Sequence, residues 1–118
     1  MKFSSAVAGI VTTGLLMALA GSLAAQQPYP SKPIRIVSPY PPGGSTSVMA
    51  RLLAHPLNEA WGQQVLVDNR GGGNTLIGSE HVAKSAPDGY TLMLMTTTHV
   101  IAPQLITAPF DAIKDFAP

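Results

Sequence analysis

A stretch rich in proline and glycine, residues 39–47 (PYPPGGSTS), separates two segments of different hydrophobic periodicity. The β-branched run at residues 34–38 (IRIVS) precedes it and is typical of a strand. From Val48 to Trp61, apolar residues recur at helical spacing, and Gly62 marks a helix end. The stretch is therefore predicted to be a tight connection from a strand to a helix, with backbone N–H groups bared at the helix start.

A connection of this kind can bind an anion. The first N–H groups of a helix lack intrahelical partners, and the helix end carries roughly half a positive charge. Each charge-assisted hydrogen bond contributes about 1.5 to 3 kcal/mol, so two or three of them would hold a small carboxylate or phosphate. The alternative is that Ser45 or Thr46 caps the helix while the glycines only turn the chain.

The rest of the chain repeats the order of strand and helix. Residues 65–68 (VLVD) form a second predicted strand, a helix is predicted over residues 76–85, and residues 90–95 (YTLMLM) form a third strand. The continuous apolar character of the third strand predicts burial on both of its faces. A short helix broken by Pro103 follows. The order predicts an α/β fold with a parallel βαβαβα sheet between helix layers.

Two local predictions concern the helices. Pro56 lies within the first helix, where it removes a backbone donor, so we expect a kink or a restart near His55. In the second helix, the apolar spacing predicts that Ile77 and Val82 face inward.

Polar connections follow all of the predicted strands at their carboxyl ends. These connections are residues 39–47, residues 69–75 (NRGGGNT) and residues 96–99 (TTTH). In open parallel sheets, ligands bind beyond the carboxyl ends of the strands. The convergence of these segments on one edge predicts a site for a small ligand.

The N-terminus has the pattern of a secretory signal peptide over residues 1–25. Lys2 is followed by an uncharged apolar run that ends in small residues (Ser22-Leu23-Ala24). The alternative is an uncleaved membrane anchor, for which the apolar run is short. Residues 26–33 then form a proline-rich, extended lead, and residues 34–118 form the folded part. We therefore expect an exported protein.

Charge and motif content exclude several classes of function. The formal net charge is +1, of which Lys2 lies in the predicted leader, so no basic surface favours nucleic acid. The glycine-rich segments lack the GxGxxG and GK[ST] patterns of nucleotide sites, and no GxSxG, SxxK or HExxH motif occurs. No histidine has a second ligand at metal spacing, so we predict neither a metal nor a cofactor. His99, at a strand end, is a candidate donor to a ligand.

Several motifs together resemble one family. They are YPSKPIRIV at 29–37, PYPPGGST at 39–46, GQQVLVDNR at 62–70, IGSEHVAKSAPDGYTLML at 77–94 and PFDAIKDFAP at 109–118. This combination is similar to the Bug or TctC-type extracytoplasmic solute receptors of tripartite tricarboxylate transporters. The resemblance implies a type II periplasmic-binding-protein fold, in which two α/β lobes close on a small carboxylate. Residues 34–118 would then be the first part of lobe one, without the second lobe.

The resemblance also implies a site, a partner and an assembly state. The cleft would be lined by two loops, whose candidate binding residues are Tyr40, Pro42, Gly43, Gly44, Ser45, Thr46, Ser47, Thr97, Thr98 and His99. Asn74 and Thr75 would support these loops rather than contact the ligand. The receptor would be a monomer that is not an enzyme and that hands its ligand to the membrane components of the transporter. The alternative is a fragment of an exported α/β enzyme whose catalytic residues lie beyond residue 118.

The chain departs from the family pattern at some of these positions. Ser47 stands where relatives usually carry an aspartate, which removes a negative charge beside the predicted anion site. This departure implies either an altered ligand preference or a neutral change at a capping position. Asn74 and Thr75 replace a glycine pair that is common in the family.

Overall fold

A computed structural model describes residues 28–117 of the chain. The predicted signal peptide at residues 1–25 lies outside the described residues, as does the beginning of the predicted lead. Within residues 28–117, no helix has the length and apolar character needed to cross a membrane.

The described chain forms a parallel, three-stranded sheet. Its strands are β1 (Ile34–Ser38), β2 (Val65–Asn69) and β3 (Thr91–Met93), and their order across the sheet is β2-β1-β3. Ile36 lies opposite Val67 on one side and Leu92 on the other. The predicted parallel sheet of alternating strands and helices is confirmed.

The helices follow the strands in the predicted order. They are α1 (Ser45–Trp61), α2 (Leu76–Ala83) and α3 (Thr98–Leu105), and a short 3-10 helix (Gly73–Thr75) precedes α2. Helix α1 continues through Pro56, so the restart that we predicted near His55 does not occur. Pro56 and its surroundings are on the exposed side of the helix. Water can therefore satisfy the carbonyl group that loses its backbone donor.

The core lies on the face of the sheet that α1 covers. Ala50 and Ala54 of α1 pack against Ile34, Ile36 and Val65, and all of these side chains are buried. Alanine at the contact positions lets the helix lie close to the strands. Val37 points to the opposite face because side chains alternate along a strand, and it is fully buried there. Right-handed crossovers place α2 on that second face.

Helix α2 contacts the sheet through its smallest residues. Gly78 and Ser79 are buried, whereas the side chain of Ile77 is 55% exposed, so the prediction that Ile77 faces inward is wrong. Ile77 faces outward because the backbone of α2 lies very close to the backbone of residues 39 and 70 at Gly78. A Cβ atom on Gly78 would lie 2.7 Å from the carbonyl oxygen of Arg70 and 2.8 Å from the Cα atom of Pro39.

Strand β3 is shorter and more exposed than predicted. It covers Thr91–Met93 instead of residues 90–95, and Leu92 and Met95 are 38% and 53% exposed. The predicted burial on both faces is therefore wrong for this part of the chain. In the described residues, β3 pairs with β1 along one edge, and no second strand covers its other edge.

The proline-rich lead is held against the turn before β3. The hydroxyl of Tyr29 donates to the carbonyl oxygen of Gly89 at 2.7 Å, and the N–H of Ser31 donates to the hydroxyl of Tyr90 at 2.8 Å. Lys32 forms an exposed ion pair with Asp88 at 3.0 Å. These contacts fix the direction from which the chain enters β1.

The glycine contact of α2 gives a testable prediction. In the interior of an exposed helix, replacing glycine with alanine stabilises by about 0.5–1 kcal/mol. For Gly78→Ala we expect the opposite effect. The free energy of unfolding should fall by about 1–3 kcal/mol, because the new methyl group would overlap with two backbone segments. Urea unfolding of the full-length protein measures the difference. Gly44→Ala is the control, since the φ of −72° there suits alanine and a Cβ atom would have only an ordinary contact with Pro41 at 3.6 Å.

Candidate functional site

The strand order places a groove at the carboxyl edge of the sheet. The chain leaves β1 toward β2 on one side and later crosses to β3 on the other, so the connections after β1 and β3 diverge. Ligands of open α/β sheets bind at this type of divergence. The connection after β1 (residues 39–44, the first loop) and the connection after β3 (residues 94–97, the third loop) flank it. The hydroxyl groups of Tyr40 and Thr96 form a hydrogen bond across the groove.

The groove has a volume of about 410 Å³, which suits a small organic molecule. Its lining residues share a neutral, polar or small character, and they are Tyr40, Pro41, Pro42, Gly44, Ser45, Thr46 and Thr96. Five of the predicted binding residues are in this set. Gly43 lies exposed in the same loop with a φ of 90°, and it turns the chain.

Helix α1 begins in the groove without a side-chain cap. Gly44 occupies the N-cap position in an extended conformation, with φ −72° and ψ 166°, and no side chain bonds to the N–H groups of the first turn. The first intrahelical bond runs from the N–H of Val48 to the carbonyl oxygen of Gly44 at 3.0 Å. The alternative in which Ser45 or Thr46 caps the helix is therefore wrong. The first turn also contains no acidic residue, so its N–H groups can donate to an external anion.

Ser47 lies behind the groove, where it is 1% exposed. Its hydroxyl donates to the side-chain oxygen of Asn69 at 3.1 Å, and the amide group of Asn69 donates to the carbonyl oxygen of Tyr40 at 3.2 Å. Ser47 therefore does not line the groove in this structure. No sequence motif singles out Asn69, although its place at the carboxyl end of β2 is a signal that could have identified it.

His99 is also buried, at 2% exposure, and it does not line the groove. Its Nε2 atom lies 3.2 Å from the carbonyl oxygen of Ala112 and its Nδ1 atom lies 3.1 Å from the hydroxyl of Ser79. Because a carbonyl oxygen only accepts, Nε2 carries a hydrogen and donates to Ala112. Phe110 stacks on the imidazole ring and Phe116 packs against it edge-on. His99 thus ties α3 to α2 and to the segment around residue 112.

The remaining residues of the third loop lie at the start of α3. Thr97 is exposed at the N-cap position and Thr98 is the first residue of the helix. No side chain caps this helix start either. Both residues are near the groove edge that Thr96 forms, but they do not belong to its lining.

The connection after β2 (residues 70–75, the second loop) packs against the first loop from behind. A Cβ atom on Gly71 would lie 2.8 Å from the backbone nitrogen of Pro41, so only glycine fits there. Asn74 and Thr75 have positive φ values of 54° and 78°. Thr75 is buried, whereas Asn74 is exposed. Neither residue lines the groove.

Charged side chains form an ion-pair cluster around Asp68, near the carboxyl end of β2. Asp68 accepts from Arg70 at 2.8 Å and from Arg35 at 3.2 Å. The hydrogen bond from Arg70 lowers the pKa of the Asp68 carboxyl below its usual value, and the positive charges of Arg70 and Arg35 add to this effect. Among the described residues, no group of histidine, aspartate or glutamate side chains could hold a metal ion.

The fold and the groove define part of an α/β lobe of the kind found in periplasmic binding proteins. A family model described as tripartite tricarboxylate transporter family receptor (TctC) matches residues 49–118, which is more than half of the chain. The chain belongs to this family. The resemblance seen in the sequence motifs is confirmed.

Individual relatives agree with this assignment. BugT from Bordetella pertussis is 41% identical over 114 residues, covering 92% of this chain and 35% of that protein. The solved structure of the periplasmic binding protein BugD is 37% identical, with a TM-score of 0.72 over 76% of this chain and 30% of that chain. MatC from Rhodopseudomonas palustris, solved with bound malate, is 29% identical, with a TM-score of 0.69 over 76% of this chain and 31% of that chain. The chain spans about a third of the length of the curated relatives that it matches.

The position of His99 gives a prediction that separates a structural role from direct ligand contact. His99→Phe keeps an aromatic ring but leaves the Ser79 hydroxyl and the Ala112 carbonyl without their partner. Since unsatisfied buried polar groups cost about 1–3 kcal/mol each, we expect a clear loss of unfolding free energy in urea. A variant that unfolds like the wild type would contradict this role. His55→Phe is the control, because His55 is an exposed residue of α1.

Proposed function

We propose that the full-length protein is a solute-binding receptor that captures a small carboxylate in the groove between the first and third loops. The observation that carries the proposal is the uncapped start of α1, which opens into a groove without charged side chains. Family membership supports it, and the structure of the relative MatC contains malate. The proposal is a receptor and not an enzyme, since the groove lining contains no acid, base or activated nucleophile pair.

The groove can recognise a carboxylate through neutral donors. One carboxylate oxygen accepts from N–H groups at the start of α1, where the helix dipole favours negative charge. The hydroxyl groups of Ser45 and Thr46 lie beside these N–H groups and add further donors. The bond between Tyr40 and Thr96 marks the far side of the groove, where either hydroxyl can turn to the ligand. Two or three charge-assisted bonds of about 1.5–3 kcal/mol each would support micromolar binding.

The remaining contacts are proposed to come from parts of the full-length protein outside residues 28–117. A second α/β lobe would close over the groove and exclude water from the bound carboxylate. The closed receptor, a monomer in the periplasm, would deliver the ligand to the membrane components of a tripartite tricarboxylate transporter. Nucleic acid is not a partner in this proposal.

A ligand panel tests the proposed function. Succinate, L-malate, adipate, citrate and a neutral diamide control are added to the full-length protein, and its melting temperature is measured. A ligand at about 100 times its Kd stabilises the folded state by about 2.7 kcal/mol, so we expect at least one carboxylate to raise the melting temperature by several degrees. The proposal fails if no carboxylate does so.

Gly44→Val is the matched variant, because its Cβ has only an ordinary contact with Pro41 at 3.6 Å and its side chain obstructs the helix start. We expect it to fold and to lose the ligand effect.

We also propose export through a cleaved signal peptide at residues 1–25. A periplasmic extract is analysed by mass spectrometry for the N-terminal peptide of the mature product. We expect a product that begins at Ala25 or Gln26, because small residues precede both positions. A product that retains Met1 and remains with the membrane fraction would support the alternative of an uncleaved anchor.

A further inference from the structure

Asn69 connects the two ends of the segment that forms the groove. It is the last residue of β2 and lies opposite Ser38, the last residue of β1. Its side-chain amide donates to the carbonyl oxygen of Tyr40, where the segment begins, and its side-chain oxygen accepts from Ser47, where the segment enters α1. A single side chain therefore spans the back of residues 40–47, while the front of the segment is open to solvent.

The polarity of this arrangement is fixed. The carbonyl oxygen of Tyr40 can only accept a hydrogen bond, so the amide nitrogen of Asn69 must face it. The amide oxygen of Asn69 then faces Ser47, whose hydroxyl has to donate. An aspartate at position 69 has the same shape but, when ionised, no donor, and it would place a carboxylate oxygen against the carbonyl oxygen of Tyr40. A side chain of the same shape can therefore replace Asn69 only if it also donates a hydrogen bond to Tyr40.

The surroundings of Asn69 leave the segment little freedom to find another position. Gly71 brings the second loop to within van der Waals distance of Pro41, and the N–H of Arg70 donates to the carbonyl oxygen of Ser38 at 2.8 Å. Ser47 is 1% exposed, so its hydroxyl has no access to water that could replace the bond to Asn69. The two bonds of Asn69 are therefore made at a site where water cannot replace the bond to Ser47.

We propose that Asn69 is a positioning residue for ligand capture. It holds the first loop so that the N–H groups at the start of α1 face the carboxylate, and Ser47 acts on ligand affinity through Asn69 rather than by contact with the ligand. The inference rests on the proposed function for its effect on affinity, whereas its effect on the loop position does not require a ligand.

Three variants of the full-length protein test the proposal: Asn69→Ala, Asn69→Asp and Ser47→Ala. Affinity is measured by calorimetry for the tightest-binding member of the dicarboxylates succinate, L-malate and adipate. Loss of one or two neutral hydrogen bonds behind the loop is expected to weaken binding about threefold to tenfold. If Ser47 acts only through Asn69, the double variant Ser47→Ala with Asn69→Ala binds as weakly as Asn69→Ala alone. Additive losses would overturn that part of the proposal.

Asn58→Ala is the matched control. Asn58 also bonds the backbone through its side chain, by accepting from the N–H of Val65 at 2.6 Å, but it does so at the amino end of β2, away from the groove. We expect this control to lower the melting temperature while carboxylate affinity stays within twofold of the wild type. An equal loss of affinity in Asn58→Ala and Asn69→Ala would reduce the effect to general destabilisation and overturn the proposal.

A crystal structure of ligand-free Asn69→Ala tests the positioning role of Asn69 separately from the proposed carboxylate binding. Displacement of residues 40–44 relative to the sheet supports the positioning role, and an unmoved loop overturns it, whatever the ligand results are. If the wild type binds no member of the panel but the loop moves in the variant, the proposed function fails and the positioning role of Asn69 stands.

Discussion

The parallel pairing of β1 with strands on both of its sides is the constraint on which the site depends. Because crossovers in parallel sheets are right-handed, a chain that runs from β1 to β2 and then across to β3 must put α1 and α2 on opposite faces. The connections after β1 and β3 then leave the sheet in different directions, and a groove opens between Tyr40 and Thr96. The location of the groove therefore follows from strand order, and the side chains decide only what it can bind.

The groove that we propose as the carboxylate site has no charged side chain in its lining. Outside the lining, Arg35 and Arg70 both pair with Asp68, and these contacts lower the pKa of the Asp68 carboxyl below its usual value. The donors that the groove itself offers to an anion are therefore the N–H groups at the start of α1 and hydroxyl groups. Such donors stabilise a carboxylate without placing a fixed counter-charge beside it, so binding does not require a buried ion pair.

The sequence predicted the order of strands and helices, the parallel sheet and the edge that carries the groove, because these features depend on periodicity and turn residues. It could not predict which side chains face the groove. Ser47 and His99 were candidate binding residues, yet both are buried and bonded to residues distant in sequence, Asn69 and Ser79. Ile77 was expected inside because it is apolar, but a close backbone approach at Gly78 decided the orientation of α2. Contacts of this kind arise from tertiary packing, which a single sequence does not display.

The second loop shows how the groove is kept in shape. Thr75 has a φ of 78°, a conformation that costs a β-branched residue about 1–3 kcal/mol, and its buried hydroxyl has no hydrogen-bond partner within the described residues. Packing around the 3-10 turn, which α3 contacts, must offset this cost. The contact of Gly71 with Pro41 and the amide of Asn69 hold the first loop from behind. In the proposed receptor, a loop that is ordered before the ligand arrives would lose little conformational entropy on binding, so a few neutral donors would be sufficient for capture.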